Sequence, residues 1–97
     1  MKRVYKGRAF YDSRPSKSDP LRSERSPDDV AFRLSRVEHE LPPRLEDGEV
    51  RVWCENQKGR TVDVFVETTE SVKDLNAAFA KCLGDLDLFG DAFVQRT

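Results

Sequence analysis

Residues 50 to 67 read Val50-Arg51-Val52-Trp53-Cys54-Glu55, then Asn56-Gln57-Lys58-Gly59, then Arg60-Thr61-Val62-Asp63-Val64-Phe65-Val66-Glu67. Both halves alternate with period two and are rich in β-branched residues. Gly59 can supply the positive φ needed near the end of a turn, so the stretch reads as a β-hairpin. Putting Val50, Val52 and Cys54 on one face with Val62, Val64 and Val66 pairs Val50 with Val66, Val52 with Val64 and Cys54 with Val62. Gln57-Lys58-Gly59 is then the loop. The valine face is expected in the core, against Val72, Leu75, Phe79 and Cys82. The other face carries Arg51, Trp53 and Glu55 beside Thr61, Asp63 and Phe65, with Arg51 across from Phe65 and Trp53 diagonal to it.

Working outward, Val72, Leu75, Phe79, Cys82 and Leu83 recur at helical spacing, which predicts an amphipathic helix over 70–83. Thr69 or Ser71 can cap its start and Gly84 can close its end. Upstream, Ser26-Pro27-Asp28-Asp29 is a helix-start signal, and Val30, Leu34, Val37 and Leu41 follow at steps of four, three and four until Pro42-Pro43. A strand competes over 29–41, because Val30, Phe32 and Leu34 also alternate and a bulge near Ser35 would carry the alternation on to Leu41. Arg3 to Tyr11 has a β-leaning composition with Gly7 as a kink or bulge, and Asp91 to Gln95 reads as a short edge strand after a turn at Gly90.

In order, these elements are strand, helix, strand, strand, helix, strand. That predicts an α+β fold of the split βαβ, or ferredoxin-like, type: a four-stranded antiparallel sheet with two helices on one face and the other face open. If 29–41 is a strand, the alternative is a more continuous antiparallel sheet with one helix. At 97 residues the chain is the size of one domain.

The formal net charge of −1 is unevenly distributed. Residues 1–27 hold eight Lys and Arg against three acids, a balance of +5, and residues 28–97 hold nine against fifteen, a balance of −6. Such asymmetry belongs either to a basic arm seeking an acidic partner or to an arm lying across its own acidic body. Residues 13–26, SRPSKSDPLRSERS, contain five serines, two prolines and four basic residues, and read as a mobile polar loop.

Several chemistries lack their residue patterns. His39 is the one histidine and its neighbours make no HExxH pattern; on the helix reading it faces solvent opposite the apolar stripe. Cys54 and Cys82 are not in CxxC spacing and are expected to be reduced core residues. The glycines at 7, 48, 59, 84 and 90 form no phosphate loop. With neither a nucleophile–base set nor a ligand cluster in view, the expectation is a non-enzymatic protein without metal or cofactor. No apolar run resembles a signal peptide or a membrane span, which points to a cytoplasmic protein.

The informative set is therefore Arg51, Trp53 and Phe65, residue types enriched at binding hot spots, with Arg14, Lys17, Arg22 and Arg25 as auxiliary contacts. The expected function is docking on another protein as an adaptor or inhibitor, a class that includes the small proteins of phages and mobile elements directed against host defences such as CRISPR. The set could also be covered by the N-terminal segment, or by a second copy in a homodimer. The alternative is a single-stranded nucleic-acid module using the open sheet face, as RNA-recognition domains do. Lys58-Gly59 followed by Phe65 partly matches the RNP1 pattern and Val4-Tyr5 faintly echoes the other motif. Arg60 and Val62, however, stand where aromatics are expected, and Glu55, Asp63 and Glu67 place negative charge on or beside that face.

Overall fold

A computed structural model describes residues 1–14, 17 and 20–96. Its elements are β1 (Arg3–Phe10), α1 (Pro27–Glu40), β2 (Arg51–Lys58), β3 (Thr61–Thr68), α2 (Val72–Asp85) and β4 (Phe89–Gln95), with short 3-10 turns at Arg22–Glu24 and Pro42–Arg44. The strands form one antiparallel sheet in the order β2-β3-β1-β4, the ferredoxin-like arrangement. α1 lies over β2 and β3, and α2 over β4, on the same face. Among the described residues no helix is long and apolar enough to cross a membrane.

Residues 27–40 are helical for reasons that separate the two periodicities. Ser26 Oγ accepts from the Asp29 amide at 3.1 Å, Pro27 stands in the first turn, and Asp28 and Asp29 lie at the positive end of the helix dipole. Val30, Leu34, Val37 and Leu41 are buried, whereas Phe32, which a strand would have put beside Val30 and Leu34, is 60% exposed. Pro42 and Pro43 then tighten the chain into the 3-10 turn. His39 lies on the exposed face of this helix.

The second helix begins two residues later than its hydrophobic pattern predicts, at the cap Ser71, whose Oγ accepts from Asp74 N at 3.2 Å. It also runs through Gly84 instead of stopping there. The chain turns at Asp87, which takes φ +57, and the Asp87 and Leu88 amides return to the carbonyls of Gly84 and Leu83 at 3.2 and 2.8 Å. Val72, expected in the core, is 40% exposed, because the buried stripe is Leu75, Phe79, Cys82 and Leu83.

The hairpin keeps its expected faces but shifts its register by two. Val52 pairs with Val66, Trp53 with Phe65 and Cys54 with Val64. The connection is the two residues Gly59 and Arg60 between paired Lys58 and Thr61, with Gly59 at φ +58, and an irregularity between Glu55 and Lys58 absorbs one extra residue of β2. Asn56 takes φ +56 there and its amide donates to Asp63 Oδ2 at 3.0 Å, so a bulge and a tighter turn replace the three-residue loop. Val62, Val64 and Val66 are fully buried, while Val52 and Cys54, on the edge strand under α1, are only half-buried.

At the other edge, β4 starts at Phe89 and not at Asp91, and Gly90 is inside the strand. A Cβ on Gly90 would stand 2.6 Å from the Arg8 carbonyl oxygen and from Leu83. The pairing of β1 with β4 shifts between Lys6 and Arg8, and the Phe93 ring fills the space over Gly7. Phe93 also meets Phe79 with ring centroids 4.5 Å apart, and its amide donates to Asn76 Oδ1 at 2.7 Å, fastening β4 to α2. Part of the stretch expected to be a mobile polar loop is anchored: the Tyr11 hydroxyl donates to the Arg22 carbonyl at 2.6 Å and Arg22 is buried. Residues 15, 16, 18 and 19 of that stretch lie outside the described residues.

Candidate interaction face

Both helices cover the face built from Tyr5, Ala9, Val62, Val64 and Val66. The alternate residues line the other face, where among the described residues no helix or strand lies over them. Pairing registers order this face into rows. Arg51, Glu67 and Val4 stand side by side, with Arg96 beyond them, its amide bonded to the Val4 carbonyl at 2.8 Å. Next come Trp53, Phe65, Lys6 and Val94, then Glu55, Asp63, Arg8 and Asp91, and finally Lys58, Thr61, Phe10 and Phe89.

In the second row Trp53 and Phe65 stack with ring centroids 5.6 Å apart and planes 10° apart. Cations surround the pair: Arg51 stands 5.6 Å from the Trp53 ring, and Lys6 and Arg96 stand 5.9 and 5.3 Å from Phe65. Phe65 is only 5% exposed, while Trp53 is half-buried, so of these two rings Trp53 is the one a partner would meet. Its indole N–H donates to Glu55 Oε2 at 3.0 Å, which orients the ring. The register correction also changes the neighbours: Arg51 stands opposite Glu67, 3.9 Å from its carboxylate, and not opposite Phe65.

Asp63 is the electrostatic hub of the third row. Donation from the Asn56 amide, then from Arg8, holds its carboxyl below the ordinary value against burial that would raise it. A shallow depression of about 490 Å³ beside Phe65 is lined by Lys6, Glu55, Asn56, Val94, Gln95 and Arg96. Across the whole face Arg51, Arg96, Lys6, Arg8 and Lys58 are interleaved with Glu67, Glu55, Asp63 and Asp91, so the formal charge is +1.

No family model matches the chain, and no curated protein matches it. A solved structure described as a "putative amidohydrolase/peptidase from Burkholderia cenocepacia" resembles it at 16% identity and a TM-score of 0.46, over 99% of this chain and 27% of that one. This chain thus spans about a quarter of that protein's length, and nothing about its chemistry follows from the other protein's name.

The auxiliary basic residues lie elsewhere. Arg22 Nη2 donates to Asp87 Oδ1 at 2.8 Å and its guanidinium stands 5.5 Å from the Phe89 ring, in the last row on the far strand from Trp53. Arg25 reaches the other oxygen of Asp87 at 3.2 Å. Arg14 closes on Asp12 at 2.6 Å, the hydrogen bond that lowers the Asp12 carboxyl to about 2. Lys17 is exposed. The structure therefore unites Arg51, Trp53 and Phe65 but gives Arg22 and Arg25 the work of fastening the chain to its own acidic body.

Sequence reasoning missed Lys6, Arg96, Val94 and the Phe10–Phe89 stack, whose centroids are 6.1 Å apart. The alternation of β1 carried a signal for Lys6 and Phe10, but no local pattern places Arg96 over Phe65. Neither cysteine is a candidate nucleophile: burial pushes both thiols up to about 11, and both are free. Among the described residues no group of His, Cys, Asp and Glu is arranged to hold a metal ion.

Proposed function

We propose that this chain acts without catalysis, by docking on another protein through the outer face of its sheet as an adaptor or inhibitor. One observation carries the reading: the half-buried Trp53, seated on Phe65 and flanked by Arg51, stands on a sheet face that no described element covers. Tryptophan and arginine are the residue types most enriched where truncation costs the most binding energy. The N-terminal segment, one rival for covering the patch, is the sheet's own β1 and lies beside β3. The proposed setting is the cytoplasm, where free thiols persist.

The alternative, a single-stranded nucleic-acid module, has the stacked aromatics but not the charge. Four carboxylates are interleaved with five cations on this face, whereas strand binders line theirs with a positive groove. Titration with labelled single-stranded DNA and RNA at rising salt tests the choice. The docking reading expects no binding above the weak level of a surface whose cations are nearly balanced by carboxylates. Tight binding that falls steeply with salt and is lost in Trp53→Ala would replace docking with nucleic-acid recognition.

A further inference from the structure

Resting on that reading of the open face, we propose that without another partner the face pairs with a second copy of the chain, about a two-fold axis in the interface and perpendicular to the strands. Self-pairing and partner binding then compete for Trp53.

The order of charge along the strands selects the pairing. In the first row Arg51 and Arg96 outweigh Glu67, leaving +1; in the aromatic row Lys6 gives +1; in the third, Glu55, Asp63 and Asp91 outweigh Arg8, leaving −2; in the last, Lys58 gives +1. The face carries only +1 in all, yet its charge is uneven: a positive first row and a negative third row flank the aromatic row.

A closed dimer uses the same patch on both copies, and only an orientation that sets unlike rows together is favourable. The perpendicular two-fold reverses the row order. It seats Arg51 of one copy over Glu55 of the other, Arg96 over Asp91, and the Trp53–Phe65 row over itself with Lys6 facing Lys6, within the small crossing angle of packed sheets. A two-fold parallel to the strands would set the third row on itself, −2 against −2. The perpendicular axis does bring Glu67 over Asp63. Each already has cations beside it in its own chain, Arg51 for Glu67 and Arg8 and Lys6 for Asp63.

Trp53 is the one tryptophan of the chain, so its fluorescence reports on this face alone. The test is sedimentation velocity of the full chain from about 1 µM to about 1 mM, with acrylamide quenching of Trp53 across the same range. The expected result is a monomer–dimer equilibrium in which quenching falls as dimer forms. Arg51→Glu and Glu55→Arg should each weaken the dimer about tenfold or more, and the double variant should restore most of the loss. If a charge variant fails to fold, Val94→Asp serves instead, since Val94 is 64% exposed in the central row, and it should weaken the dimer too. A chain that stays monomeric with Trp53 quenchable throughout overturns self-pairing but leaves the face open to a different protein. A dimer in which Trp53 stays as quenchable as in the monomer overturns the proposal by placing the contact elsewhere.

Discussion

Arg22 and Asp87, 65 residues apart in the chain, are joined by a hydrogen bond of 2.8 Å between Nη2 and Oδ1. The contact fixes two things at once. Asp87 ends α2 in the left-handed region at φ +57, where few residues other than glycine and Asn or Asp sit comfortably, and its carboxylate holds the stretch before α1 through both Arg22 and Arg25. The basic arm is thus a strap on its own body.

Asp87→Ala should therefore destabilise the fold by about 2 kcal/mol or more, through the left-handed backbone and the partly buried Arg22 left without this carboxylate. Asp87→Gly keeps the backbone freedom and should lose less. Urea denaturation of the two variants makes the check; equal losses would show that the backbone conformation contributes nothing.

Gly7 should not tolerate a side chain. A Cβ there would stand 2.9 Å from the Phe93 ring, which sits between β4 and Phe79 in the core. Gly7→Ala is expected to cost about 1 to 3 kcal/mol by overpacking, and pairing it with Phe93→Leu should recover part of that. Thermal melts of both variants test this, and a Gly7→Ala melt unchanged from wild type would mean that β4 is not packed on β1 as described.

Asp47 links the loop before β2 to the start of α2. Its carboxylate accepts from the amides of Glu49 and Thr69 and from the Thr68 hydroxyl, which lowers its pKa from 3.8 to about 2. Because the folded value lies below the unfolded one, the contribution is fully present above about pH 4 and disappears as the pH falls towards about 2. Asp47→Asn should lower stability near neutral pH and flatten its fall across that window. Denaturation midpoints at several pH values decide it; an undiminished acid slope in Asp47→Asn would assign the loss to other carboxylates, Asp12 and Asp63 first.

The elements were legible because each carries its own period: the valines of β3 at two, the Val30–Leu41 stripe at near four. Which strand faces which helix was less so, since it depends on the crossover. α1, not the Leu75–Cys82 stripe of α2, lies over the hairpin. The hairpin register was misread because Gly59 satisfies two turn lengths, and the choice between them is made by Asn56, whose left-handed backbone and bond to Asp63 are not local signals. For the site, alternation alone put Arg51, Trp53 and Phe65 on one face. Lys6 and Arg96 joined them only through pairing with distant strands. Arg22 and Arg25 looked free because their partner, Asp87, lies at the other end of the chain.

The most direct measurement is partner retention by tagged wild-type chain and by Trp53→Ala, with His39→Ala as a surface control, each checked by far-ultraviolet circular dichroism. Trp53→Ala is expected to stay folded, losing about 1 kcal/mol of stability with the Phe65 stack, while affinity for the retained protein partner drops by about 2 kcal/mol or more and His39→Ala binds as wild type does. A folded Trp53→Ala that binds its protein partner as tightly as wild type would contradict the claim that the open sheet face is the docking surface.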